Sequence, residues 1–132
     1  MSPDEFNHSS ILVEDIMTKV IISVNLTTTA FQIAKMMEQG GIGAVIVKDN
    51  EHPVGIITDR DFAVKIAANN LPLDTPVEET MSSPIVTINH NETISAAAER
   101  MVNKKIRKLA VSENGKIIGI ITSTDLVKQF VT

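Results

Sequence analysis

The chain contains an internal repeat, and this repeat restricts its fold more than any other feature. It reads Gly55-Ile56-Ile57-Thr58-Asp59-Arg60-Asp61 at one point and Gly119-Ile120-Ile121-Thr122-Ser123-Thr124-Asp125 a further 64 residues along. At that offset the two halves align without a gap, so that Met17-Thr18 falls on Met81-Ser82. An ungapped internal match of this length indicates two copies of one structural unit.

Each copy predicts the element order β-α-β-β-α after a short helical turn. The first helices begin at threonine caps, Thr29 and Thr93, and carry apolar residues at the i, i+3, i+4 and i+7 positions of a buried helix face. Gly40-Gly41 and Asn103 are predicted to end these helices. A hairpin of two strands follows, for which Asn114-Gly115 is a strong signal. The fold class is therefore α/β (α+β).

The same alignment gives the expected domain boundaries. We predict an N-terminal tail at 1–11, a first repeat at 12–70, a linker at 71–76 and a second repeat at 77–132. The strands are nearly continuous apolar runs, so both faces of each small sheet need to be covered. We therefore do not expect either repeat to fold well alone.

Composition excludes several classes of function. At 132 residues and a formal net charge of −4, the chain has the length of one compact domain and no general attraction for DNA or anionic membranes. It has no Trp or Tyr to stack on single-stranded nucleic acid, and no Cys for disulfides. No apolar run approaches the ~18 residues of a membrane span, and the N-terminus lacks the apolar core of a signal peptide. We expect a cytoplasmic protein that binds neither membranes nor nucleic acid.

Each copy of the closing motif predicts a strand that leads into the N-terminus of a helix. The first turn of a helix has unpaired N–H groups and the positive end of the helix dipole, which favour anions and hydrogen-bond acceptors. A ligand site is one interpretation; the other is a Thr-x-x-Asp capping box that satisfies only the helix itself. Gly55 and Gly119 likewise indicate either close approach of a ligand or a strand bulge.

The element order, the closing motif and the pairs Met17-Thr18 and Met81-Ser82 together resemble a tandem pair of CBS (cystathionine-β-synthase) domains, also called a Bateman module. The resemblance extends from Leu12 to Val131. It implies two pseudo-two-fold-related repeats packed sheet to sheet. It also implies clefts between the repeats that bind AMP, ADP, ATP or S-adenosylmethionine as a regulatory ligand, with no cofactor required.

The resemblance further implies which residues bind such a ligand. Asp61 and Asp125 would receive the ribose hydroxyls, and Thr58 and Thr122 a ribose or phosphate oxygen. An ionised carboxylate only accepts hydrogen bonds and can receive both hydroxyls of a cis-diol. The first strand of the other repeat would supply the adenine wall, with Ser82, Pro84 and Val86 at the Asp61 site and Thr18, Val20 and Ile22 at the Asp125 site. The isoleucines expected to complete the apolar surroundings, each of them also a candidate core residue, are Ile42, Ile56, Ile106 and Ile120.

At the start of the second strand, where the resemblance implies basic residues for a ligand phosphate, they are found in the second copy only, and Arg60 is a further candidate in the first copy. The residues of the second copy are Arg107 and Lys108, and the first copy has Gly43-Ala44 at the aligned positions. Neighbouring strand residues point to opposite faces, so we assign the two cations to different clefts. The run Lys104-Lys105-Ile106-Arg107-Lys108 is equally consistent with a solvated helix end. S-adenosylmethionine, which has no phosphate, therefore stays a candidate ligand.

The sequence thus favours a non-catalytic sensor module, with a ligand-free structural module for dimerisation or protein interaction as the alternative. An enzyme is not expected, because His8, His52 and His90 are interpreted as surface residues without ligand or nucleophile spacing. The resemblance implies a homodimer, and we expect any effector domain to be on a separate protein. The residues of the closing helices that offer apolar contacts for a dimer are Phe62, Ile66, Leu126 and Phe130.

Overall fold

The structure, a computed structural model, describes residues 10–19 and 21–131. They form two compact units of similar size. The central unit is continuous and runs from Ile22 to Ile85, whereas the terminal unit combines residues 10–19 and 21 with residues 86–131.

The elements follow the predicted order in both copies. In chain order they are α1 (Val13–Ile16), β1 (Ser23–Asn25), α2 (Ala30–Gly40), β2 (Ala44–Asp49), β3 (His52–Thr58), α3 (Asp59–Asp61) with its π-helical continuation (Phe62–Ala67), a 3₁₀ turn (Val77–Glu79), β4 (Thr87–Asn89), α4 (Ile94–Lys104), β5 (Lys108–Glu113), β6 (Lys116–Thr122) and α5 (Ser123–Val127) with its 3₁₀ continuation (Lys128–Phe130). None of the helices in the described residues is both long and apolar enough to cross a membrane.

Each unit is built on one three-stranded sheet. β1 pairs in parallel with β2, which pairs antiparallel with β3, and β4, β5 and β6 repeat this arrangement. In both hairpins the register shifts by one residue directly beside a glycine, after the pairs Val47–Gly55 and Val111–Gly119. The α/β fold class predicted from the sequence is confirmed, and the strand-bulge interpretation of the two glycines is correct.

A short segment of the other repeat extends each sheet. In the central unit, Ile56 and Ser82 exchange two backbone hydrogen bonds of 2.8 and 3.0 Å. In the terminal unit, Thr18 and Ile120 do the same, also at 2.8 and 3.0 Å. Because the start of each repeat joins the sheet of the other, the compact units differ from the repeats at 12–70 and 77–132.

Each unit has its own apolar core. The central core is formed by buried side chains of α2, β2 and β3 and includes Val77 from the 3₁₀ turn. The terminal core is formed by α4, β4, β5 and β6 and includes Val13 from α1. Val13 and Val77 have no exposed surface, so the first helical turn of each repeat is an integral part of the core it joins.

At one helix end and one hairpin turn, a residue other than glycine adopts the left-handed backbone conformation that a glycine adopts in the other repeat. Gly41 ends α2 in the left-handed conformation as predicted, but α4 continues past Asn103 and ends with Lys105 in that conformation, at φ 56°. Lys105 is the residue aligned with Gly41, so both helices end at the same position of the repeat. The prediction that Asn103 ends the second helix was wrong. In the first hairpin turn, Glu51 has φ 72° where the second hairpin has Gly115 at φ 79°.

Candidate functional site

The central motif forms a closed capping box at the start of α3. The Thr58 N–H donates to Asp61 Oδ2 at 2.9 Å, and the Thr58 hydroxyl donates to the same oxygen at 3.1 Å. In return, the Asp61 N–H donates to Thr58 Oγ1 at 3.2 Å. The aspartate thereby satisfies the helix start, as a capping box does, and is only 7% exposed.

The other oxygen of Asp61 is occupied by two further residues. The Ser82 hydroxyl donates to Asp61 Oδ1 at 3.0 Å, and Lys65 Nζ forms an ion pair with the same oxygen at 3.4 Å. The lysine also donates to Ser82 Oγ at 3.1 Å and to the Met81 carbonyl at 3.3 Å. The carboxylate is therefore surrounded on both oxygens by donors from its own unit.

The terminal motif has the same capping box with fewer partners. The Thr122 N–H donates to Asp125 Oδ2 at 2.9 Å, and the Asp125 N–H donates to Thr122 Oγ1 at 3.1 Å. Among the residues that the structure describes, Asp125 Oδ1 has no hydrogen-bond or ion-pair partner. Gln129 occupies the position aligned with Lys65, and its Nε2 donates to the Asp125 backbone carbonyl at 3.4 Å instead. Asp125 is also more exposed than Asp61.

The two motif glycines make room for methionines. A Cβ atom at Gly55 would collide with Sδ and Cγ of Met81, and one at Gly119 would collide with the same atoms of Met17. The backbone carbonyls of Ser82 and Thr18 lie about as close to these positions. The glycines therefore allow the first residues of the other repeat, Met81-Ser82 or Met17-Thr18, to lie against each sheet.

Several residues predicted for the Asp61 site lie in the central unit with it. Ser82 contacts the carboxylate directly, and the backbone of Ile56 pairs with that serine. Pro84, which follows a cis peptide bond, is exposed, and Ile42 packs against the core of the unit. Val86 was assigned to this site from the sequence but belongs to the terminal unit, where it packs on the terminal core.

At the Asp125 site, Thr18 and Ile120 are brought together by their backbone pairing. Ile106 packs against the terminal core, whereas Ile22 belongs to the central unit and packs on the central core. Val20 lies outside the described residues. Arg107 is exposed, and its carbonyl accepts a hydrogen bond of 2.8 Å from the Ser123 N–H, while Lys108 is half-buried at the start of β5.

One histidine departs from the surface interpretation. His90 is half-buried, with its Nδ1 hydrogen-bonded to Glu14 and its Nε2 3.6 Å from Glu113 Oε1. The hydrogen bond to Glu14 raises the pKa of His90 above its ordinary value. His52 is exposed as expected, and His8 lies outside the described residues. Within residues 10–19 and 21–131, no three His, Cys, Asp or Glu side chains are grouped so as to hold a metal ion.

Sequence reasoning missed Lys65. Its position four residues after Asp61 is a signal for an ion pair on a helix, and Gln129 at the aligned position breaks the symmetry of the repeat. Such pairs usually lie on exposed surfaces, however, so the spacing alone did not connect Lys65 with Ser82.

The fold and the two motif sites define a class of protein. The chain is a tandem α/β repeat in which each sheet ends in a capping aspartate that a segment of the other repeat approaches. The family model of the CBS domain matches this chain twice, at residues 13–68 and 77–132. The chain belongs to the CBS domain family, which confirms the resemblance inferred from its motifs.

Individual proteins are similar to the chain over most of its length. An uncharacterized protein of Methanopyrus kandleri is 36% identical over 122 residues, which are 90% of this chain and 62% of that protein. The crystal structure of an uncharacterized conserved protein from Pyrococcus horikoshii matches with a TM-score of 0.88 at 27% identity, covering 94% of this chain and 95% of that one. The CBS domain pair of protein MJ0100, solved in complex with 5′-methylthioadenosine and S-adenosyl-L-methionine, matches with a TM-score of 0.80 at 28% identity, covering 90% and 94%.

Proposed function

We propose that this chain is a non-catalytic regulatory module that binds an adenosine-containing ligand, either AMP, ADP, ATP or S-adenosylmethionine, at its motif aspartates. The observation that carries the proposal is the Asp125 carboxylate, which keeps one oxygen without a partner in the described part of the chain. An ionised carboxylate has about four acceptor positions, and a cis-diol offers two donors that match them. The ligand ribose is the group proposed to fill this oxygen.

The neighbours of Asp125 suit such a ligand. Thr122 Oγ1 accepts from the Asp125 N–H, which leaves its hydroxyl proton available for a ribose or phosphate oxygen. Thr18 is exposed beside Ile120 and adds a second hydroxyl and an apolar surface. Arg107 and Lys108 are the proposed phosphate partners, and Asp61 with Thr58 is the corresponding site of the central unit.

The comparison with MJ0100 supports the choice of ligand class. That CBS domain pair was solved with two adenosine compounds, of which neither carries a phosphate. A site built on a carboxylate and hydroxyls does not require a phosphate for recognition. A regulatory effect would follow if the ligand bound two conformations of the module with different affinity, since only such a difference shifts an equilibrium.

Thermal unfolding with each candidate ligand tests the proposal. A ligand at 100 times its dissociation constant should raise the stability by about 2.7 kcal/mol and the melting temperature by several degrees. Asp125→Ala should weaken this effect by removing a hydrogen bond to a charged group, which is worth about 1.5–3 kcal/mol. Glu99→Ala, which removes an exposed carboxylate from α4 of the same unit, is the matched control. No shift with any of the four ligands at millimolar concentration would contradict the proposal.

A structural module for dimerisation or protein interaction is the second candidate. It is favoured by the exposed apolar side chains of the closing helices, where Val64 is 49% and Val127 61% exposed. Of the four residues expected to form such a contact, only Phe130 is largely exposed, at 66%, whereas Ile66 is buried in the central core. Sedimentation equilibrium of the wild type and of Val64→Glu and Val127→Glu tests the proposed homodimer, which either charge should weaken.

A further inference from the structure

The two motif sites differ at the position four residues after the motif aspartate. Lys65 in the central unit corresponds to Gln129 in the terminal unit, and this difference changes the surroundings of the aspartates. The Lys65 ammonium contacts Asp61 Oδ1, Ser82 Oγ and the Met81 carbonyl at 3.4, 3.1 and 3.3 Å. Within the described part of the chain, the Gln129 side chain donates only to a backbone carbonyl.

The central network is saturated. A carboxylate has about four acceptor positions; Asp61 accepts two hydrogen bonds from Thr58 and one from Ser82, and its Oδ1 also forms an ion pair with Lys65 Nζ at 3.4 Å. An ammonium has three N–H donors and no acceptor, and three oxygens surround Lys65 Nζ. The Ser82 hydroxyl donates to the aspartate and accepts from the lysine. A ribose diol therefore has to displace Lys65 and Ser82 before it can bind Asp61.

The terminal network is open at the same place. Asp125 Oδ1 has no partner among the described residues, and Thr18, which is aligned with Ser82, contributes only backbone hydrogen bonds there. A ligand diol can bind this oxygen without breaking an existing contact. A hydrogen bond that replaces none contributes more to affinity than one that must first displace an internal partner.

From this asymmetry we infer that Lys65 is a built-in competitor of the ligand. It closes the Asp61 site, so that ligand binds at Asp125 first and reaches Asp61 only at higher concentration. This inference rests on the proposed function and deepens it, because it makes one of two equivalent-looking motifs the primary site. Lys65 acts through Asp61 and is therefore a positioning residue.

Isothermal titration calorimetry with AMP and with S-adenosylmethionine tests the order of binding in the full chain. The wild type should show one strong step whose stoichiometry is one ligand per chain, and Asp125→Ala should remove it, whereas Asp61→Ala should leave it. Lys65→Gln should strengthen the second step by about ten- to hundredfold, the amount expected when a charge-assisted contact no longer competes. Lys35→Gln, which removes an exposed ion pair with Glu38 in the same unit, should change neither step.

A reciprocal exchange tests the same idea from the other side. The double variant Thr18→Ser with Gln129→Lys copies the central network into the terminal unit and should weaken the strong step by about the same ten- to hundredfold. Two equal steps in the wild type, or no effect of Lys65→Gln on the second step, would overturn the inference.

A ligand-free measurement separates failure of this inference from failure of the proposed function. Without ligand, Lys65→Gln should lower the melting temperature more than Lys35→Gln, because it opens a half-buried network and not an exposed pair. Equal melting temperatures would show that the network is not formed and would overturn the inference. If the melting temperatures differ as expected but no variant binds AMP, ADP, ATP or S-adenosylmethionine, the network stands and the proposed function is wrong.

Discussion

At the scale of single residues, the motif glycines recur in both halves of the sequence because each lies against the same kind of neighbour in the fold. Gly55 and Gly119 are required by Met81 and Met17, which lie where a Cβ atom would be. The methionine near the start of each repeat therefore packs against the motif glycine of the other repeat. Their joint occurrence in both copies reflects this contact more directly than it reflects a ligand.

Gly119→Ala should destabilise the protein by about 1–3 kcal/mol, the usual cost of forcing an extra methyl group into a filled space. Urea unfolding measures this change. Gly40→Ala is the matched control, because a Cβ there meets only Ile42 at ordinary distances of 3.7 Å or more, and alanine is the better helix former by about 0.5–1 kcal/mol. Equal effects of the two substitutions would show that Met17 does not occupy the space beside Gly119.

The hairpin turns allow a second residue-scale prediction. Glu51 is exposed at φ 72°, a conformation that is unfavourable for a residue with a Cβ atom and that Gly115 adopts freely in the other hairpin. Glu51→Gly should therefore stabilise the protein by about 0.5–1 kcal/mol, after the greater flexibility of glycine in the unfolded chain is allowed for. The reverse substitution, Gly115→Glu, should destabilise it by a similar amount. Chemical unfolding of both variants checks the pair, and a loss of stability in Glu51→Gly would contradict the turn geometry.

At the scale of elements, α1 is attached to the terminal sheet by a contact that its counterpart lacks. His90 hydrogen-bonds to Glu14 on α1 and faces Glu113 on β5. At the aligned position of the central unit the chain has Leu26, which cannot form an ion pair, so the 3₁₀ turn at Val77–Glu79 has no histidine partner among residues 10–19 and 21–131. The attachment of α1 should therefore depend on pH, and that of the 3₁₀ turn should not.

The direction of this dependence follows from the raised pKa of His90. A histidine whose pKa is higher in the folded state than its unfolded value of about 6.5 stabilises the protein fully below that value. This stabilisation is lost as the pH rises through the higher folded pKa. Glu14→Gln should therefore lower the melting temperature at about pH 6 and have little effect at about pH 9. Glu78→Gln, the aligned substitution in the central unit, is the control, and an equal effect of Glu14→Gln at both pH values would contradict a stabilising contact between His90 and Glu14.

The order of the helices and strands was predictable because each one is indicated by residues within a few positions of its own ends. Thr29 and Thr93 cap their helices, and Thr29 forms the full capping box with Gln32, as their side chains alone indicate. Asp61 and Asp125 became candidate ligand-binding residues because the closing motif occurs twice, and Ser82 became one through the family resemblance. Lys65 did not, since its role depends on Ser82, which is 17 positions further along and comes close only after folding.

At the scale of the whole molecule, the repeats of the sequence and the compact units of the structure are different divisions of the same chain. The repeat boundaries follow from the alignment, which shows where the pattern restarts. The exchange of starting segments was only partly predictable, because a backbone pairing such as that of Thr18 with Ile120 leaves little trace in side-chain pattern. The core residue Val77, which belongs to the second repeat but packs in the central unit, is the clearest sign of this exchange.

This difference can be tested by expressing two fragments of the chain. Residues 22–85 contain the complete central core, including Val77 and Met81, whereas residues 12–70 contain the whole first repeat but lack both of these side chains. A domain of about this size buries only about 60% of its surface and is marginally stable, so the loss of the buried Val77 and of Met81, which packs against the core, should decide whether it folds. The fragment 22–85 should show a cooperative thermal transition by circular dichroism, and 12–70 should show none. Gly55→Ala in the fragment 22–85 should abolish the transition by expelling Met81. Equal cooperativity of the two fragments would mean that the repeat, and not the compact unit, is what folds.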